Sequence, residues 1–416
     1  MWNRLLENLV EALFRSGTLE LTLPDGRTRR YGDGTGRTVV VTVTDPGLVK
    51  RLVRNPDLAV GEGYMEGTFR IADDDLHGFL DLAHRNIARR RTVWWRRPFD
   101  AAAFAFRRFR MTNPVGRSKR NVAHHYDLST ELYETFLDAD RQYSCAYFRT
   151  PKDTLEEAQA QKKALIAGKL LIRPGMRVLD IGCGWGGMAI TLARDYGARV
   201  LGVTLSEEQH RIATERVRAA GLQDRVEIRL TDYRRVTGEF DRIVSVGMFE
   251  HVGVPHYREY FGKVRDLLAE DGIALIHTIG RAAPPSYTSD FILKYIFPGV
   301  YVPAMSEAMA AVEKEGLWPT DVEVWRLHYA ETLRHWHDRF MANADQVRAI
   351  YDDRFIRMWR YYLVASEMTF RSGRQCVVQL QLSRKADAVP LTRDYLYAGR
   401  DASRDQRRPR SVEAAE

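Results

Sequence analysis

Cysteine is scarce in this 416-residue chain: Cys145, Cys183 and Cys376 are its three thiols, and no two of them stand at a metal-pairing spacing. That argues against a disulfide-stapled scaffold and a zinc site, and it fits a reducing compartment; no metal is expected. Long apolar runs are lacking as well. No stretch approaches the roughly 20 residues needed to span a bilayer. The opening Met1–Val10 mixes acids with apolar residues, as an amphipathic helix does and a signal peptide does not. The expected location is therefore cytoplasmic, peripheral on the inner face of a membrane at most. Internal repeats are also missing, which removes solenoids and propellers. What is present is an ordinary globular composition, 45% hydrophobic and 28% charged, with 63 Lys and Arg against 55 Asp and Glu, a formal net charge of +8. Such an excess points to an acidic partner: nucleic acid, an anionic bilayer face or an anionic small molecule. The length accommodates one large domain and a smaller one.

One stretch organises the chain. Val178–Gly187 runs from an apolar strand pattern through Asp180 into glycines at 182, 184, 186 and 187 and then a helical pattern. This reads as first strand, tight turn and helix N-terminus of a doubly wound, Rossmann-like α/β domain. Glycines there let the backbone approach a ligand, and the first N–H groups of the helix offer a place for an anion. Gly182, Gly184 and Gly187 also satisfy the dinucleotide fingerprint. A dinucleotide, however, wants a carboxylate at the end of the next strand for its ribose hydroxyls. Arg199–Ser206 ends in hydroxyls instead, with Gln209 just beyond. Together with Asp180, this favours S-adenosylmethionine, its methionine carboxylate at Gly182 and Gly184, over a dinucleotide or a structural turn.

Strand patterns at Arg177–Ile181, Arg199–Val203, Val226–Leu230, Phe240–Val246 and Gly272–Thr278 alternate with helical ones. They predict a mostly parallel sheet with helices on both faces and chemistry at the carboxyl ends of the strands. A helix with acids at Glu156 and Glu157, hydrophilic in pattern, leads into the first strand; residues 281–318 form a Pro- and aromatic-rich insertion, a candidate lid. Val322–Leu327 and Gln375–Leu382 read as a closing pair of strands.

Ahead of this, residues 1–87 read as a small antiparallel α+β unit without catalytic geometry. It has strands at Leu19–Leu23 and Val39–Val43, a helix opened by Asp45 and Pro46, and a Gly-rich corner at Val60–Gly67. Residues 88–120 form a basic aromatic linker in which eight arginines between Arg89 and Arg110 interleave with Trp94, Trp95, Phe99, Phe104, Phe106 and Phe109. That composition favours an anionic membrane surface, then a plain interdomain linker, and nucleic acid least. Residues 398–416 are charged, poor in apolar side chains and expected to be disordered.

Two strand ends deliver Glu250 with His251 and, beside them, His277–Gly280. An acid and a histidine next to a cofactor turn are placed for acid–base work; a helix-capping Glu250 and a structural His277 are the competing reading. Cys145, among the aromatics of Gln142–Phe148, is read as inert.

As a set, these residues resemble the cyclopropane-fatty-acyl-phospholipid synthase family of S-adenosylmethionine-dependent methyltransferases, which includes the mycolic acid cyclopropane synthases. The likeness is carried by Asn121–Leu128, Gln142–Phe148, Val178–Gly187, Gly202–Ser206 with Gln209, Met248–Gly253, His277–Gly280, Lys294–Gly299 and His328–Leu333 with Trp336. It implies a class I methyltransferase fold over residues 121–397, preceded by the small N-terminal domain of the two-domain bacterial members. Cofactor contacts implied by position are Tyr143, Ser144, Leu179, Asp180, Gly182, Gly184, Gly186 and Gly187, then Thr204, Leu205, Ser206, Gln209, Asp232 and Tyr233.

The resemblance further implies a bicarbonate ion held by Cys145, Glu250, His277, Ile279 and Tyr329. His277 and the Tyr329 hydroxyl would donate to it, Cys145 and Ile279 would offer backbone N–H groups, and Glu250 would accept the bicarbonate O–H. The implied reaction adds the sulfonium methyl to the π bond of a cis-unsaturated phospholipid acyl chain, leaving a carbocation beside aromatic faces such as Tyr126 and Tyr143; bicarbonate then takes a proton from the new methyl and the ring closes. Two positions depart from the family: Ser366 stands where many relatives carry Cys, and Gly299–Pro303 brings branched and aromatic residues where relatives have small ones. The competing readings are a sibling fatty acid methyltransferase giving a methyl-branched or methylene product, an amine N-methyltransferase, and a non-catalytic lipid-binding protein. The N-terminal domain is expected to support a homodimer or to seat the enzyme on the bilayer.

Overall fold

The computed structural model describes residues 1–88 and 129–397. The basic aromatic linker, the Asn121–Leu128 motif with Tyr126, and the C-terminal tail lie outside the described residues.

In the N-terminal unit, helix α1 (Trp2–Leu13) buries Leu6, Leu9 and Val10. A four-stranded sheet follows, in the order β2 (Thr28–Gly32), β1 (Thr18–Thr22), β3 (Thr38–Val43), β4 (Phe69–Ile71). The expected antiparallel sheet is in fact mixed. β2 folds back on one edge of β1, the chain crosses to the other edge, and β3 therefore runs parallel to β1, with Leu19 opposite Val39. Helix α2 (Pro46–Arg54) starts as its sequence predicts, with the Asp45 carboxylate accepting from the Gly47 and Leu48 N–H groups.

The predicted Gly-rich corner is a helix. α3 (Pro56–Glu66) runs through Gly61 and Gly63 and stops at Gly67, whose φ of 70° is left-handed. The two internal glycines serve close packing: a Cβ at Gly63 would lie 2.7 Å from Leu48, and one at Gly61 would run into the Phe291 ring and lie 2.9 Å from Tyr361. α4 (Leu76–Ala88) completes the unit.

The large unit holds α5 (Thr130–Glu134), α6 (Leu155–Lys169), β5 (Arg177–Ile181), α7 (Gly187–Tyr196), β6 (Arg199–Thr204), α8 (Glu207–Ala219), β7 (Val226–Leu230), β8 (Phe240–Val246), α9 (Tyr257–Leu267) and β9 (Leu268–Arg281). After the insertion, which carries a π-helical turn at Ile292–Ile296 and α10 (Met305–Lys314), come β10 (Trp318–Trp325), α11 (His328–Ala342), α12 (Ala344–Ile350), α13 (Asp353–Arg371) and β11 (Gln375–Ser383). The strands form one seven-stranded sheet in the order β10-β11-β9-β8-β5-β6-β7. Neighbours from β9 to β7 are parallel, while β11 is antiparallel to both β9 and β10. This is the mostly parallel, doubly wound sheet expected from the strand rhythm; of the closing pair, β11 lies where its pattern put it, while β10 starts four residues before the expected Val322 and ends at Trp325.

α6 is hydrophilic in pattern yet largely buried, Lys162, Lys163 and Lys169 included. Lys169 is ion-paired with Asp321 at 3.0 Å and Glu323 at 2.6 Å on β10. Among the described residues no helix is long and apolar enough to cross a membrane.

Candidate active site

β5 and β8 are neighbours in the sheet although two strands separate them in sequence, so the chain leaves their carboxyl ends in opposite directions and opens a crevice. The cavity there is lined by Asp180, Gly182 and Gly184 after β5, Thr204, Leu205 and Gln209 after β6, Asp232 and Tyr233 after β7, and Tyr143 and Ser144 from the segment before α6. Gly182 and Gly184 have φ values of 82° and 55°, which disfavour any side chain. A Cβ at Gly184 would meet nothing within 4 Å, so its backbone faces open space.

Four of the sequence-derived contacts lie off this cavity. Leu179 is fully buried in the sheet core. Gly186 would touch Ala213, and Gly187 abuts Asp140 and Gln142, so that the 138–142 turn covers the start of α7. Ser206 caps α8, accepting from Gln209 N–H at 3.2 Å. Asp232 is present, but Arg234 already engages both of its oxygens, at 2.8 and 2.6 Å. An adenine amino group would share that carboxylate with the guanidinium.

Asp180 is 2% exposed, and its Oδ2 has no hydrogen-bond partner. Burial pushes its pKa up to about 7, with Lys162 pulling the other way. An unpartnered buried carboxyl beside glycine backbone suits a ligand with a cationic group near a carboxylate, and the methionine end of S-adenosylmethionine is such a ligand.

Sequence pattern gave no hint of how the 142–146 segment is held. From α6, the Gln159 amide donates to the Gln142 and Ser144 carbonyls at 3.1 and 2.9 Å, and Lys162 Nζ donates to Gln142 Oε1 and Ser144 Oγ, both at 2.8 Å. From α11, Thr332 Oγ1 accepts from Ala146 N–H at 3.0 Å. Trp185 of the 179–187 turn lines the cavity too, and so do Gln142, Met248 and His256, which were not among the expected contacts.

A second cavity opens behind the first and contains the entire expected anion set: Cys145, Glu250, His277, Ile279 and Tyr329. Tyr143, Ser144, Gly247 and His251 line both cavities, so these four residues mark where the two spaces meet. Burial holds the His251 imidazole down to about 4, leaving it neutral at that junction. Glu250, on the turn after β8, is 4% exposed, and burial pushes its carboxyl up to about 7. Its Oε1 accepts from the Ile279 N–H at 2.6 Å, while Oε2 has no partner. The Ile279 N–H, expected to face the anion, here donates to Glu250.

His277, on β9, is also buried and held well below its ordinary pKa, so the ring is neutral. Nδ1 pairs with the Gln379 amide nitrogen at 3.1 Å. With that amide donating, the ring proton sits on Nε2, which has no partner and is available as a donor. The Cys145 thiol is buried and pushed up by desolvation, as an inert thiol is. The remaining walls combine the rings of Phe291, Phe297, Tyr361, Tyr362 and Phe370 with polar residues such as Asp57, Arg281 and Gln375, and Tyr143 is bonded to Tyr362 through their hydroxyls at 2.9 Å. Ser366 lines this cavity, as do Val300 and Val302 of the divergent lid stretch.

Fold and site together define an S-adenosylmethionine-dependent methyltransferase of class I. The mycolic acid cyclopropane synthetase family matches residues 115–380, and the chain belongs to it. Residues 4–87 match a family described as a domain of unknown function. The chain is 38% identical over 347 residues to the cyclopropane-fatty-acyl-phospholipid synthase of Escherichia coli (strain K12), a match covering 83% of this chain and 87% of that one. It is 35% identical over 395 residues to a "Probable fatty acid methyltransferase" of Pseudomonas putida, covering 91% and 96%. A crystal structure of a mycolic acid cyclopropane synthase complexed with SAH and CTAB superposes with a TM-score of 0.61 at 33% identity, covering 65% of this chain and 99% of that one.

If Asp180 holds the cationic end of the cofactor, its raised pKa predicts a pH-dependent affinity. Below a pKa of about 7 the free carboxyl holds a proton that a cationic ligand must displace. Affinity for S-adenosylmethionine should therefore rise with pH up to about 7, by at most tenfold per unit, and then level off. Titration calorimetry between pH 5.5 and 8 checks this, and Asp180→Asn should flatten the profile. A parent profile already flat would remove Asp180 from cofactor binding.

Proposed function

We propose that this protein methylates the cis double bond of an unsaturated phospholipid acyl chain and closes a cyclopropane ring, with a bicarbonate ion in the Glu250–His277–Tyr329 region. The observation that carries the reading is the second cavity: rich in aromatic rings, sharing Tyr143 and Gly247 with the cofactor cavity, and furnished with two buried polar atoms, Glu250 Oε2 and His277 Nε2, that have no partner. When bound, S-adenosylmethionine supplies an electrophilic methyl group and bicarbonate supplies a base.

The chain's own residues supply the surroundings. A π bond that gains a methyl carries positive charge on its second carbon, and aromatic faces such as Tyr143 stabilise it by about 0.5–2 kcal/mol each. Neutral His277 donates from Nε2 to an anion, Tyr329 adds its hydroxyl, and carboxylate Glu250 accepts an anion's O–H, which keeps the two negative charges from facing each other. Cys145 has no nucleophilic part, and Ser366 is a wall residue.

The test is incubation with methyl-labelled S-adenosylmethionine and vesicles containing oleoyl phospholipid, with the lipid product analysed by NMR. Label in the lipid with cyclopropane proton resonances supports the reading; an unlabelled lipid fraction overturns it. A second reading is a fatty acid methyltransferase, favoured by the Pseudomonas putida relative, whose match spans more of this chain. In that chemistry the cation loses a proton from a neighbouring chain carbon, which leaves the labelled methyl on an internal alkene, or, after a hydride shift from the methylated carbon to the second carbon, loses it from the added methyl, which becomes a labelled methylene.

A further inference from the structure

The N-terminal unit carries no expected catalytic residue, yet it reaches the acceptor cavity. Asp57 on α3 and His84 on α4 line that cavity alongside Glu250 and His277. α3 also grips the lid. Asp57 Oδ2 accepts from Ser289 Oγ at 2.7 Å and from the Asp290 N–H at 3.0 Å, and the Asn55 amide donates to the Asp290 carboxylate at 2.7 Å. One turn further on, Glu62 Oε1 accepts from Lys294 Nζ at 2.6 Å and from the Tyr295 hydroxyl at 2.9 Å, while its other oxygen takes Arg51 at 3.1 Å. Lys294 and its neighbours hold Glu62 below the usual carboxylate range despite its burial, so the grip is ionic near neutral pH.

Between these two anchors lies Gly61. It faces Phe291 and Tyr361, two rings that line the acceptor cavity and pack edge to face with centroids 4.7 Å apart. A Cβ at position 61 would stand 2.6 Å from one Phe291 ring carbon and 2.9 Å from Tyr361, both inside van der Waals contact. Gly61 is helical, so the missing side chain answers a need for room rather than for a left-handed turn. Both rings that a side chain at position 61 would meet also line the cavity, so a larger residue 61 must displace part of the wall of the acceptor site.

We propose that α3 of the N-terminal unit is a wall of the acceptor site, in which Gly61 sets the bore through Phe291 and the Asp57 and Glu62 contacts hold the lid segment 289–295 against it. Gly61 is thus an acceptor-determining residue contributed by a unit without catalytic groups. The acyl nature of the acceptor rests on the function proposed above; the wall itself does not.

The experiment uses the full chain and two ligands, SAH by calorimetry and cis-parinaric acid, a fluorescent polyene fatty acid, by fluorescence titration. Gly61→Ala should weaken the fatty acid about tenfold, the effect of one misplaced methylene in an apolar pocket, and leave SAH within about twofold. Gly61→Ala with Phe291→Leu, which gives back the ring's space, should recover most of the loss, a rescue that a merely destabilised fold would not show. Glu62→Gln, which keeps the shape and removes the charge, should raise hydrogen exchange across residues 289–295 and weaken the fatty acid severalfold. Unchanged fatty acid affinity in folded Gly61→Ala, or equal loss of both ligands, overturns the proposal; if Gly61→Ala does not fold, the Glu62→Gln result decides in the same way. A parent protein that binds the fatty acid in this α3-dependent manner but labels no phospholipid would sink the proposed reaction and leave the wall standing.

Discussion

Glu250→Gln is expected to lower kcat at least a hundredfold while SAH binds within about threefold of the parent, because the substitution keeps the shape and the Ile279 contact but removes the carboxylate. General acid–base and anion-orienting groups contribute on the order of 10²–10⁴ in rate, and Glu250 is the one carboxylate of the expected anion set. With a pKa of about 7, Glu250 is half ionised near neutrality. If the ionised form is the working one, kcat in the parent rises with pH through about 7, and that limb is missing from the residual activity of Glu250→Gln. Stability moves the other way. A carboxyl whose folded pKa is raised contributes stability that is complete below its unfolded pKa, near 4.5, and that is lost as pH rises through about 7. The Gln variant has no such loss, so at pH 8 it should resist denaturant better than the parent, by at most roughly 3 kcal/mol. Retention of a tenth or more of the parent kcat would take Glu250 out of the chemistry. Rate and stability changing in opposite directions is the mark of a group kept for function.

Much of this architecture is legible in the sequence because its signals are local. β-branched runs such as Phe240–Val246 and the glycines after Asp180 report strand, turn and helix start within a few residues, and the strands of the large sheet fall close to where their patterns put them. Glu250 and His277 follow from the rule that chemistry collects at the carboxyl ends of parallel strands. Ile279 shows what position matching leaves out: its backbone N–H donates to Glu250, which only coordinates reveal. Gly61 and Gly63 looked like punctuation, because glycine usually marks a turn, but their partners Phe291 and Leu48 are brought in by tertiary packing. The mixed N-terminal sheet escaped for a related reason, since strand patterns carry no direction. For Asp57, whose lid partners lie more than two hundred residues along the chain, no local signal exists.

α6 is where pattern misleads most, and Lys162 carries the second large expectation: Lys162→Met should weaken S-adenosylmethionine at least tenfold without costing the fold stability at pH 7. A lysine in a hydrophilic helical stretch reads as a solvated face, but Lys162 has no solvent exposure and holds Gln142 and Ser144, which line the cofactor cavity. Ser144 also borders the acceptor cavity, so a slack 142–146 segment would blur the meeting point of both spaces. Losing two charge-assisted hydrogen bonds removes on the order of 1.5–3 kcal/mol each from the ordering of that segment. Burial, against the pull of Asp138, brings the Lys162 pKa down from 10.5 to about 8. A depressed lysine works against folding while it is charged in both states: the penalty, roughly 3 kcal/mol, is complete below about pH 8 and is relieved only as pH climbs toward 10.5. Methionine has nearly the same length and no charge, so it escapes that penalty and offsets the lost bonds. Denaturant titrations at pH 7 and pH 10 should show the parent gaining on the variant at the higher pH, while calorimetry at pH 7 shows the cofactor bound more weakly. A variant that binds S-adenosylmethionine as the parent does would mean that Gln159 and Thr332 suffice to hold the segment, and that Lys162 has no part in the site.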